Sequence, residues 1–137
     1  MTYDTRPPTD RPREAAGTAE VARPTGPTGF RIAVDQDLVI VRARGELDMA
    51  AEAAFEEHLR LAFSRRPAVI VDASDVTFAD CSALRVLIAV GAEMTSRGRR
   101  WCVVASPVLQ RLFALARVRI PTMSSVDCAR SLGISPH

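Results

Sequence analysis

The stretch from Ala68 to Ala89, AVIVDASDVTFADCSALRVLIA, restricts the possible folds of this chain more than any other. It opens as a short apolar run at Ala68 to Val71 and passes through a polar turn carrying Asp72, Ser74 and Asp75. Leu84, Leu87 and Ile88 then recur at helical spacing, with Gly91 just beyond. The order is strand, loop, helix. At the hinge, Asp80 is the natural N-cap, because its carboxylate can accept a hydrogen bond from a free N–H of the first turn. Ser82 then falls inside that turn, where the macrodipole and unpaired N–H groups favour negative charge. Two readings of Ser82 follow: an ordinary helix-start residue, or a hydroxyl whose phosphorylation the helix end would tolerate while the Asp80 carboxylate opposes it.

Around this unit the pattern alternates. Phe30, Ile32 and Val34 mark a first strand, and Asp35 to Asp37 form a tight connection to a second strand over Leu38 to Ala43, giving an antiparallel hairpin. Gly45 permits a turn, and Asp48 is placed to cap a helix from about Met49 to Phe63 with Ala51, Phe55, Leu59, Ala62 and Phe63 on its apolar face. That helix is long enough to join the second and third strands in parallel. After the helix from about Cys81 to Thr95, Trp101 to Ala105 gives another strand. Ser106 and Pro107 start a helix with Val108, Leu109, Leu112, Phe113 and Ala116 on a broad face. Val118 to Met123 reads as an edge strand because Pro121 cannot donate to a ladder, and Val126, Ala129 and Leu132 share the face of a last helix stopped by Gly133. The expected fold is a small α/β sandwich, a mostly parallel sheet of about five strands covered by about four helices.

Residues 1–29 carry five prolines, three glycines and no helical or strand period, and are expected to be a disordered tail; the domain is placed at 30–133, with 134–137 as a short C-terminal tail. A chain of 137 residues suits one domain with a full core. No apolar run approaches the roughly 18 residues that span a bilayer, so a cytoplasmic protein without membrane partners is expected. The formal charge of +2 is too even for a nucleic-acid binder, and the pairs Arg65-Arg66 and Arg99-Arg100 are short. Cys81, Cys102 and Cys128 are odd in number and show no metal-ligand spacing, which makes buried free thiols the default, with Cys81 at a helix start the exception.

The carboxylates Asp48, Asp72, Asp75 and Asp80 raise the possibility of a Mg²⁺ site, since Asp48 and Asp80 each follow a strand and would emerge at one sheet edge. Capping and turn roles explain the same residues without a metal. No glycine-rich phosphate loop is present, and neither His58, on a helix with glutamates, nor the terminal His137 suggests a catalytic base. No catalytic residue, metal or cofactor is therefore expected.

Over roughly Phe30 to Gly133 the chain resembles the STAS domain family, particularly the single-domain bacterial anti-sigma factor antagonists. The resemblance rests on GELD at Gly45 to Asp48 and VDASDVTFADCSALRVL at Val71 to Leu87. It implies a domain that binds a partner and is not an enzyme. The unphosphorylated form would capture an anti-sigma factor serine kinase and so free a sigma factor; phosphorylation of Ser82 would end that binding, and a serine phosphatase would restore it. Asp48, Asp80, Cys81, Ser82 and Ala83 are the implied partner-binding residues. Two departures stand out: the family often has serine or threonine where this chain has Cys81, and commonly glycine where it has Ala83. The alternatives are a STAS scaffold or sensor that no kinase switches and, behind it, a metal-dependent enzyme using the loop carboxylates.

Overall fold

The computed structural model describes residues 18–19 and 28–131. Its elements are β1 (Thr18–Ala19), β2 (Gly29–Asp35), β3 (Leu38–Leu47), a 3-10 turn at Met49–Ala51, α1 (Glu52–Arg65), β4 (Ala68–Ala79), α2 (Cys81–Ser96), β5 (Arg100–Ala105), α3 (Pro107–Ala116), β6 (Thr122–Met123) and α4 (Val126–Ser131). They form one sheet in the order β1-β2-β3-β4-β5-β6. The first two pairings are antiparallel, and the β3, β4, β5 and β6 pairings are parallel. The β2–β3 hairpin closes through Gln36 and Asp37, with Gln36 at φ 55°, the left-handed conformation such a tight connection demands.

Because each parallel strand lies beside the one before it, right-handed crossovers put α1, α2 and α3 on the same face of the sheet. Their apolar residues join the inward side chains of β2 to β5 in one core that includes Phe55, Leu59, Leu87, Val90 and Leu109. The opposite face is covered only in part. There Leu38, Ile40, Ala68, Ile70, Cys102 and Val104 pack with Ala129 of α4. The strands record this difference directly: Leu38 to Val41 and Ala68 to Val71 are buried without interruption, as expected where both faces are covered. Beyond them Arg42, Arg44 and Glu46 of β3 are exposed between buried Val41, Ala43 and Leu47.

The structure departs from the sequence expectation most clearly at Asp72 to Asp75, where the expected turn is instead the middle of β4. Two irregularities in the β3–β4 register let β4 carry extra residues opposite β3. Inward positions therefore fall at Ala73, Val76 and Ala79, a spacing of three that breaks strand alternation. Asp72 supports the first bulge by accepting hydrogen bonds from the Ser74 N–H (3.2 Å) and hydroxyl (2.7 Å). Gly45 lies at the corresponding kink of β3 with φ 90° and does not end the strand as expected.

Other corrections are smaller. Thr18 and Ala19, placed in a disordered tail, pair with Ala33 and Ile32. Thr28 exchanges hydrogen bonds with Glu46 main chain at 3.1 Å, so order begins before Phe30. The rest of the first 27 residues lies outside the described part, as do Leu132, Gly133 and residues 134–137. Of the broad face expected on α3, Leu109 and Phe113 are buried, Val108 and Leu112 pack half-buried against the core, and Ala116 is exposed. The edge strand is only two residues long and starts after Pro121, whose carbonyl accepts from the Val103 N–H at 2.8 Å. Among the described residues no helix is long and apolar enough to cross a membrane.

Candidate functional site

The parallel pairing of β3 and β4 brings their C-terminal ends together, Leu47 beside Ala79. The Asp80 N–H donates to the Leu47 carbonyl at 3.3 Å, tying the two exits to each other. Asp48 and Asp80 therefore begin neighbouring segments at one sheet edge. Both are N-caps in extended conformation: an Asp48 carboxylate oxygen accepts from the Ala51 N–H at 3.2 Å, and one of Asp80 accepts from the Ser82 N–H at 2.8 Å. Each carboxylate satisfies an N–H that the helix start leaves without an intrahelical partner.

Cys81 is exposed, whereas Ser82 is only 3% exposed and Ala83 is buried. The burial follows from position: the first turn of α2 rests on the sheet edge, and Ser82 lies on the inward side with Ala83 and Val86. Two large apolar side chains are exposed on the segments that meet at this edge. Met49 is 72% exposed and Phe78, at the end of β4, is 47% exposed. Sequence reasoning missed both, since Met49 reads as an ordinary helix residue and Phe78 as part of a loop. Arg85, one turn beyond Ser82, bonds through its Nε to Glu52 of α1 at 3.0 Å. That bond, with smaller contributions from Cys81 and Asp80, raises the Arg85 pKa above the ordinary guanidinium value.

The four carboxylates considered for a metal separate into two places. Asp72 and Asp75 lie within β4, away from its C-terminal end, with Asp72 3.6 Å from the Arg42 guanidinium. Among the described residues no group of three or more His, Cys, Asp or Glu side chains is placed to hold a metal ion. Of the cysteines, Cys102 is buried and Cys81 is the exposed exception; the Cys128 side chain lies outside the described part. His58, set aside on sequence, belongs to the core face of α1 and stacks on Phe30 with ring centroids 4.9 Å apart.

The fold and site define a compact class: an α/β domain with its crossover helices on one face and two carboxylate-capped helix starts at the end of adjacent parallel strands. The STAS domain family model matches residues 30–127, and the chain belongs to that family. Solved structures agree in fold. An anti-sigma factor antagonist from Mycobacterium paratuberculosis matches at 23% identity and TM-score 0.71, covering 77% of this chain and 92% of its own. The anti-sigma factor antagonist SpoIIAA in its unphosphorylated form matches at 20% identity and TM-score 0.60, over 77% of this chain and 99% of its own. The phosphorylated form of the Bacillus cell fate determinant SpoIIAA gives 19% identity and TM-score 0.61, over 76% and 98%. No curated protein matches the chain by sequence.

Proposed function

We propose that this protein is an anti-sigma factor antagonist of the cytoplasm that works by binding and not by catalysis. Unphosphorylated, it holds an anti-sigma factor serine kinase and releases a sigma factor; phosphorylated on Ser82, it lets the kinase go, and a serine phosphatase resets it. The observation that carries this reading is the position of Ser82 in the first turn of α2, beside the sheet edge from which Asp48 and Asp80 both emerge. The exposed Met49, Phe78 and Cys81 supply apolar contact area around it. A phosphate adds about two negative charges, and two carboxylates already stand at that edge. It would also compete with Glu52 for Arg85, three residues along the helix from Ser82. Either change alters the charge and shape presented to the partner while the core beneath stays packed.

The burial of Ser82 adds a condition: the first turn of α2 must open for a kinase to reach the hydroxyl. That same burial favours a second reading, a STAS scaffold whose serine is structural. Affinity capture from native lysate with wild-type, Ser82→Ala and Ser82→Asp baits, each checked for folding by circular dichroism, separates the two. Retention of a small ATP-binding kinase by the first two baits and its loss from the third is the expected result. Identical partners on all three baits would refute switching and support the scaffold.

A further inference from the structure

A groove of about 570 Å³ runs along the side of α2 away from its capped end, and its construction is specific. One wall is α2 itself, with Ile88 45% exposed at the mouth although it shares the helical spacing of the core leucines. The floor is Trp101. Its indole lies directly on the α2 backbone at Gly91, where a Cβ would overlap the ring. The indole N–H donates to the Thr95 hydroxyl at 2.9 Å, so the ring's one polar group is satisfied and its orientation fixed. The far wall is Arg119, Ile120 and Pro121, in the segment between α3 and β6. Arg117, at φ 56° and ψ 40°, turns the chain out of α3 toward that wall, and the Val103–Pro121 hydrogen bond holds its other end.

The charge distribution in the groove is one-sided. No carboxylate is among the described residues that line it, and Arg119 is exposed with no ion pair among the described residues. An apolar slot of ligand size with a single unneutralised guanidinium at its rim has the features of a site for a small amphiphilic anion. A carboxylate accepts two parallel hydrogen bonds from arginine, and an apolar body covers Ile88 and Trp101. The geometry points to this groove as a binding site for a small carboxylate with an aliphatic or aromatic body. Such a site is distinct from the Ser82 edge but shares α2 with it.

The single tryptophan of the chain is the floor of the groove, so its fluorescence reports occupancy without a label. Sodium octanoate is the probe and octanol its neutral counterpart, titrated into the full chain, with amide shifts of Gly91 and Ala92 followed in parallel by NMR. Octanoate is expected to blue-shift Trp101 emission saturably with a Kd of about millimolar, as suits so few heavy atoms. Arg119→Gln should weaken octanoate about tenfold and leave octanol unchanged. Ala92→Phe, which fills the groove from its exposed side, should abolish both responses while thermal unfolding stays cooperative. No saturable response by either method up to about 10 mM, or equal octanoate affinity in wild type and Arg119→Gln, would overturn the assignment. None of these outcomes bears on whether Ser82→Asp loses a kinase, so the two readings fail independently.

Discussion

Replacing Gly91 by alanine sets two well-understood terms against each other. In an open helix interior, alanine is favoured over glycine by about 1 kcal/mol. At this position the new methyl would overlap the Trp101 ring, so either the indole or α2 must move. Overpacking of this kind costs about 1–3 kcal/mol, and displacing the indole also gives up its hydrogen bond to Thr95, worth about 1 kcal/mol. The steric terms outweigh the propensity term, and Gly91→Ala is expected to destabilise the domain by about 2 kcal/mol. With a urea m-value of about 2 kcal/mol/M, the midpoint should fall by roughly 1 M. The diagnostic comparison is the same change in a Trp101→Leu background, followed by far-UV circular dichroism. Without the indole the penalty should disappear and the alanine gain of about 1 kcal/mol should show itself, reversing the sign. A Gly91→Ala protein as stable as wild type, or an equal penalty in both backgrounds, would refute the packing argument.

The remaining expectations concern single interactions. Asp80→Ala should cost about 1 kcal/mol and accelerate hydrogen exchange at the Ser82 amide about fivefold, whereas Asp80→Asn, which keeps a capping oxygen, should cost only a few tenths; equal losses would deny the cap. His58 donates from Nδ1 to the Ala54 carbonyl, 2.7 Å away, while its buried Nε2 has no hydrogen-bond partner among the described residues, so His58→Leu should stabilise by about 1 kcal/mol in urea unfolding. A clear loss of stability would mean that Nε2 is satisfied after all. Glu93 is held below the ordinary carboxylate range first by its hydrogen bond from Arg60, and Arg60→Gln should raise its titration midpoint measured by carbon NMR. Because that folded-state value lies below the unfolded one, the contribution of the pair is present above the unfolded carboxylate range and fades as pH falls through the folded value. The stability difference between wild type and Arg60→Gln should accordingly shrink on acidification.

Much of the fold is legible in the sequence because burial and periodicity agree. Phe55, Leu59, Ala62 and Phe63 repeat at helical spacing and do form the inner face of α1; Asp48, Asp80 and Ser106 stand where caps are expected and are caps. β4 was harder to read for a definite reason. A strand that contains bulges no longer alternates, and Asp72, Ser74 and Asp75 are residues that ordinarily make turns. Ile88 and Ala116 share the spacing of core residues, yet both are exposed among the described residues. Periodicity identifies which side chains share a face, but only tertiary packing determines how wide a stripe of that face is covered.

The same distinction bears on Ser82. Its place in the first turn follows from the Asp80 cap, but its 3% exposure follows from how α2 rests on the sheet edge, which local sequence does not encode. Burial and modification are compatible if the cap is weak enough to break. A cap worth about 1 kcal/mol leaves a first turn that opens far more readily than the domain unfolds as a whole. Access to the hydroxyl would then be governed by Asp80, the residue whose charge also opposes a phosphate there. In such an arrangement one carboxylate both guards the closed turn and disfavours its return once the serine is modified, so the phosphorylated surface should differ from the unmodified one in shape as well as in charge.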